Sequence, residues 1–156
     1  MQKIKPAMPY VISLIIGLLI AITIKCIYHP LVIHGSSMES AYQDGDIVQC
    51  STDFTVESLS RGDVIAYLND GKLVVKRIVA LPGEEVEVKD RYIYVDGVRI
   101  SEKLVGDAGI LEIKNIQLGE DEYFCLGDNH EVSRDSRHTG PVRFKNIKYR
   151  LEGLLF

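Results

Sequence analysis

A serine and a lysine in this chain have the types and settings that hydrolytic chemistry needs. The serine is Ser37, in Gly35-Ser36-Ser37-Met38; the lysine is Lys76, inside the apolar run Leu73-Val74-Val75-Lys76-Arg77-Ile78-Val79-Ala80-Leu81. That run reads as a strand. Alternate residues of a strand share a face, so Lys76 lies with Val74, Ile78 and Ala80. An ammonium on an apolar face must be paired or lose its proton, and desolvation lowers a lysine pKa by several units. A neutral lysine is a general base, and a hydroxyl within its reach becomes a nucleophile. The pair therefore points to a Ser-Lys hydrolase. A plainer reading is that Lys76 extends to solvent or pairs with one of the 22 Asp and Glu residues. The opposite face (Val75, Arg77, Val79) is also mostly apolar, so the strand alone does not decide between them.

Other chemistries find less support. His34, His130 and His138 offer a Ser-His-Asp alternative, but no Gly-x-Ser-x-Gly elbow surrounds any serine. The four histidines lack ligand spacing and no Cys-x-x-Cys is present, so neither a metal site nor a cofactor is expected. Cys26 falls in an apolar amino-terminal stretch. Cys50 and Cys125 lie in strand-like contexts, where a bridge and two separate buried thiols both fit. The net charge is −4 and no basic stripe with interleaved aromatics occurs, which argues against nucleic acid.

The elements that must position the pair fall into two parts. From Ala7 to Ile24 there is no charge, and Tyr10 to Tyr28 would span roughly 28 Å as a helix, enough for the hydrocarbon layer. Lys25 sits near the far end, where its stem can snorkel toward the headgroups, and Tyr10 and Tyr28 bracket the segment. The stretch is longer than a signal-peptide apolar region and no small-x-small site follows it, so a retained transmembrane anchor is expected over residues 1–29. Lys3 and Lys5 place its amino terminus on the cytoplasmic side and the remainder outside the cell membrane.

Residues 30–156 read as one compact all-β domain, a coiled sheet or barrel-like fold. Short apolar runs at Ile47–Cys50, Val64–Leu68, Leu73–Leu81, Glu85–Lys89, Arg91–Val95, Val98–Ile100, Leu111–Ile116 and Tyr123–Leu126 alternate with turn signals. Among those signals, Asn69-Asp70-Gly71 and Asp96-Gly97 mark hairpins. Residues 101–110 read as a loop, and no stretch after residue 30 shows sustained helical periodicity.

Three stretches in this order resemble the type I signal peptidase family. Gly35-Ser36-Ser37-Met38 with Asp44-Gly45-Asp46 is similar to its Ser-Met box. Arg61-Gly62-Asp63-Val64 and Val75-Lys76-Arg77-Ile78-Val79-Ala80-Leu81-Pro82-Gly83-Glu84 resemble its lysine box. Gly127-Asp128-Asn129, Ser133-Arg134-Asp135-Ser136-Arg137 and Gly140-Pro141-Val142 resemble its carboxy-terminal box. The resemblance implies a membrane-anchored serine endopeptidase that removes signal peptides from exported preproteins, with the lipid bilayer as its other partner. It implies Ser37 as nucleophile, Lys76 as general base and the Ser37 backbone N–H in the oxyanion hole. Ser133 matches a serine that orients the lysine, Asp135 and Arg137 match a structural ion pair, and Met38 matches a residue packed beside the site. Ser136 is an alternative partner for the lysine, or a turn cap. Asp46, Asp63, Asp128 and Asn129 read as turn formers, and Arg77 as an ion-pair residue. The chain departs from the family pattern at Ser40-Ala41-Tyr42, where Pro-Thr-Leu is usual, and at His130-Glu131, where Arg-Asp is usual.

Overall fold

Hydrophobic alternation and tight turns shape most of the chain. The computed structural model describes residues 8–27, 29–100 and 113–155, with side chains in the first stretch described for 8–20. The helix α1 spans Met8–Ile27, and strand β1 (His29–Val32) follows it closely. Every large apolar side chain described on α1 is exposed: Val11, Ile12, Leu14, Ile15, Ile16, Leu18, Leu19 and Ile20 all lie open on a helix apolar on every side. The described side chains of α1 end at Ile20, and among the described residues no helix is long and apolar enough to cross a membrane. Expectations for Lys3, Lys5, Tyr28 and residues 101–110, and for the side chains of Lys25 and Cys26, lie outside the described residues.

Ten further strands follow among the described residues: β2 (Ile47–Ser51), β3 (Val64–Asn69), β4 (Lys72–Ala80), β5 (Glu85–Lys89), β6 (Tyr92–Val95), β7 (Val98–Arg99), β8 (Ile113–Gln117), β9 (Glu122–Leu126), β10 (Val142–Arg143) and β11 (Ile147–Leu154). A one-turn helix α2 (Ser136–Thr139) precedes β10, and a 3₁₀ turn covers Phe144–Asn146. The strands form two antiparallel sheets, ordered β1-β2-β11-β3-β4-β9-β10 and β7-β6-β5-β8. The expected all-β domain thus takes the form of two open sheets, with β1 and β10 at the edges of the larger.

Hairpin geometry follows from the turn residues. Asn69 pairs with Lys72 across Asp70-Gly71, and both turn residues have positive φ (48° and 77°). Two-residue turns of this kind match the right-handed twist of the strands they join. Val95 pairs with Val98 across Asp96-Gly97 in the same way. Lys89 pairs with Tyr92 across Asp90-Arg91, where neither residue is glycine although both have positive φ.

Three apolar clusters hold the sheets. Val86, Val88, Ile93, Val95, Leu118 and Phe124 pack the small sheet against the end of β4 and β9. Ile65, Tyr67, Ile78, Tyr123, Val142 and Ile147 fill the centre of the large sheet. Ile33, Met38, Val48, Cys50, Val64, Ala66 and Leu151 form the third, beneath the segment carrying Ser37. Full burial of an aliphatic or aromatic side chain stabilises by about 1.5–3 kcal/mol, so these clusters fix where each strand lies. Cys50 and Cys125 are both buried free thiols.

Candidate active site

Ser37 sits on a segment pinned at its neck and at its floor. After β1, Ile33 N–H donates to Asp46 O (2.8 Å), Gly45 N–H returns to Ile33 O (2.9 Å), and Gly35 N–H donates to the Asp44 carboxylate (2.8 Å). Gly35 has φ +87°, a left-handed backbone that suits glycine at this bend. Met38 is 1% exposed and anchors the segment in the third apolar cluster. Beyond it, Ala41 and Tyr42 N–H groups both donate to Met38 O (3.1 and 2.9 Å). Ser40, where the family pattern has proline, has φ +94°, which a proline ring cannot adopt.

Lys76 rises from the middle of β4, paired with Ile65 of β3. It shares its buried face with Ile78 and Ala80, and only 4% of it is exposed. Its Nζ lies 2.7 Å from Ser37 Oγ and 2.8 Å from Val75 O. Burial holds the amine below the ordinary lysine range; Asp135, Asp128 and Cys125 pull the other way without overcoming it. No carboxylate makes an ion pair with Lys76 among the described residues. A buried amine without a counter-ion, at hydrogen-bond distance from a hydroxyl, has the geometry for proton transfer.

The segment after β9 closes the site from the other side. At Gly127 an added Cβ would stand 2.2 Å from Ser133 Oγ and 2.5 Å from Ser37 O, so only glycine permits this approach. Asn129 N–H donates to Ser37 O (3.1 Å), and Asn129 Nδ2 donates to Glu39 (3.2 Å). Ser133 is buried beside Gly127, but its Oγ receives no hydrogen bond from Lys76. It lies near enough to Asp135 to help hold that carboxylate ionised, although no bond of full hydrogen-bonding geometry forms.

Asp135 and Arg137 are buried together. Arg137 Nε and Nη2 reach the two oxygens of Asp135 (2.8 and 2.9 Å), and Gly127 N–H donates to the same carboxylate (3.1 Å). Burial alone would raise the Asp135 pKa, but the Arg137 bonds and charge, with Ser133 and Gly127, bring it below the usual carboxylate range. Asp135 also caps α2, accepting from Arg137 N–H. Ser136 accepts from Cys125 N–H (3.0 Å), so its hydroxyl is committed to β9 rather than to the lysine. On the opposite face of β4, Arg77 holds Asp128 through Nε and Nη2 (2.8 and 2.6 Å) and Gly62 O through Nη1 (2.7 Å). That cation joins the two stretches of the lysine box to the carboxy-terminal box. Asp46 and Asp63 accept from the N–H three residues before them, as turn formers do.

The Ser37 N–H has no acceptor among the described residues, leaving it available to a developing oxyanion. Beside it, a cavity of about 220 Å³ is lined by Leu31, Ile33, His34, Ser37, Val74 and Lys76. His34 is exposed at its rim, 3.9 Å from Asp44, and His138 lies against Asp135. Among the described residues no group of His, Cys, Asp and Glu has the arrangement of a metal site.

The Asn129 bond to the Ser37 carbonyl and the close approach of Gly127 escape a residue-by-residue reading. Gly-Asp-Asn is visible in sequence, but it reads there as a turn and not as a clasp on a distant backbone.

Comparison with known proteins adds a second line of evidence. Residues 7–153 match the family model described as signal peptidase, peptidase S26. The chain is 28% identical over 150 residues to signal peptidase I V of Bacillus subtilis, covering 85% of this chain and 89% of that protein. It is 32% identical over 148 residues to signal peptidase I of Bacillus licheniformis, covering 83% and 77% respectively. A crystal structure of a signal peptidase I from Enterococcus faecalis is 30% identical, with a TM-score of 0.48, and covers 65% of this chain and 100% of that one.

Proposed function

Because the chain belongs to the peptidase S26 family of signal peptidases, we propose that it removes signal peptides from exported preproteins with Ser37 as nucleophile and Lys76 as general base. The 2.7 Å contact between Lys76 Nζ and Ser37 Oγ, on a buried strand, carries this reading. A serine hydroxyl attacks a peptide carbonyl only when a base takes its proton. Lys76 is such a base when neutral, and burial favours that form. Ser37 Oγ attacks the scissile carbonyl, Lys76 takes the proton and then delivers it to the leaving amine. The Ser37 N–H stabilises the oxyanion, a contribution of about 3–4 kcal/mol for a well-placed donor. A water then attacks the acyl-enzyme, with Lys76 again the base.

In this reading Ser133 packs beside Gly127 without bonding Lys76, and the Asp135–Arg137 pair and Met38 hold the two catalytic segments in place. The small cavity beside Ser37 suits the small side chains of a small-x-small site. Residues 1–29 form a tail and a single-pass anchor, and residues 30–156 the peptidase domain on the extracytoplasmic side. The all-round apolar exposure of α1 supports the anchor, since a helix apolar on every face needs an apolar surround. With β1 starting at His29, the site stays near the outer membrane–water boundary, where a preprotein's cleavage site emerges.

The test is cleavage of a preprotein with a small-x-small site, in detergent, by the wild type and by Ser37→Ala. Cleavage by the wild type alone is expected. Equal cleavage by Ser37→Ala would remove Ser37 from the mechanism.

A further inference from the structure

The segment between β9 and α2 carries a histidine that the proposed mechanism does not use. His130 is half-buried, and its Nδ1 is fully enclosed without a hydrogen-bond partner among the described residues. The charged groups facing the ring are Arg137 and Asp135 at α2, and Asp128 from the segment leaving β9; the Gly127 carbonyl faces it as well. Burial works first against a charged imidazole, and the Arg137 guanidinium works in the same direction. The two carboxylates, each already bound to an arginine through both oxygens, and the Gly127 carbonyl offset this only in part.

The backbone of the same segment is tied to the site. Arg137 Nη2 donates to His130 O (3.1 Å). One residue earlier, Asn129 N–H holds Ser37 O, while Asn129 O accepts from Ser133 N–H (3.1 Å). The stretch that encloses the histidine is thus the stretch that clasps the Ser37 carbonyl.

We propose that His130 is a positioning residue whose neutral ring lets the 127–137 segment close on the Ser37 carbonyl, and whose protonation opens that clasp. The inference rests on the reading of Ser37 as nucleophile. A protonated ring beside the buried Arg137 guanidinium must move out to water. That movement draws His130 O from Arg137 and Asn129 N–H from Ser37 O. The sign follows from the depressed folded-state pKa of the ring. The closed segment is fully favoured above the unfolded histidine value of about 6.5, and the advantage is lost as pH falls from there through the lower folded value.

The experiment is hydrogen exchange on the full chain in detergent, following 127–137 relative to β4 between about pH 7.5 and 5, after correction for intrinsic exchange. Wild-type protection in the segment falls at least tenfold relative to β4 across that range. His130→Gln, which can face the Gly127 carbonyl but takes no proton, keeps its protection. Alongside, log kcat/KM for a small-x-small preprotein steepens in the wild type from one proton toward two as pH falls below the unfolded histidine value of about 6.5, while His130→Gln keeps a slope of one. Unchanged wild-type protection between the two pH values overturns the proposal without reference to any variant. An equal loss in His130→Gln overturns it too. If neither protein cleaves at any pH but only the wild type loses protection, the clasp stands and the peptidase reading fails.

Discussion

Among single residues, Lys76 stands out as a lysine buried with no counter-ion among the described residues. In the proposed mechanism neutral Lys76 is the active form, so kcat/KM is expected to rise with pH through the lysine pKa. Burial depresses that pKa, so the rise comes below the ordinary lysine value of about 10.4. A rate that climbed only above that value would contradict the desolvation argument. Ser133→Ala lowers turnover by a smaller factor than Lys76→Ala, measured on the same preprotein, because Ser133 Oγ makes no hydrogen bond to the lysine. Gly127→Ala is more damaging than its size suggests. The new methyl meets a backbone carbonyl at 2.5 Å as well as Ser133 Oγ, and the Ser37 segment must shift. Loss of about 2 kcal/mol in chemical denaturation is expected, with near-complete loss of cleavage. Asp135 has a depressed folded-state pKa, so its contribution to stability is full above the unfolded carboxylate value of about 3.9 and fades as pH falls through the folded one. The burial of Lys76 was legible from the apolar run around it, whereas Ser37 was singled out by the order of three motifs and not by its own surroundings. The Asn129 clasp was not legible, because a backbone bond between remote segments leaves no mark on residue type.

At the scale of elements, turn chemistry and alternation were the readable signals. Asp70-Gly71 and Asp96-Gly97 announced their hairpins, and the runs read as strands largely coincide with β2 to β9. The first and last strands were harder. β1 contains Pro30, which belongs on an edge, where its missing N–H leaves no ladder bond unmade. β11 mixes Lys148, Arg150 and Glu152 into an alternation broken by register shifts against both neighbours. α2 is a single turn made by the Asp135 cap, too short for any periodicity. Asp90-Arg91 is a place where the sequence is at odds with its turn, since both residues hold positive φ. Arg91→Gly should therefore raise stability by about 0.5–1 kcal/mol, read as a higher denaturation midpoint. A lower midpoint would mean that the arginine side chain contributes more than its backbone costs.

For the whole molecule, the claim is a division of labour between anchor and domain. The large sheet begins at His29, which pairs with Cys50, so a chain starting at His29 keeps every described strand. Such a truncation is expected to cleave a soluble small-x-small peptide with kcat/KM within about tenfold of the full chain, yet to lose its partition into lipid vesicles in a flotation assay. Full retention on vesicles would place the membrane contact in the β domain instead. The departures at Ser40 and His130 bear on this whole. Ser40 takes a positive-φ backbone close to Ser37 and His130 lies in the segment clasping the Ser37 carbonyl, while the Ser37–Lys76 contact is present.

The most direct measurement is cleavage of a small-x-small preprotein by Lys76→Met, whose side chain fills much of the same buried space without an amine. The account predicts a folded protein, at least as resistant to denaturant as the wild type because no amine is desolvated, with turnover reduced by at least about a thousandfold. Turnover near the wild-type level in that variant would show that another group takes the Ser37 proton, and the Ser-Lys mechanism would fall.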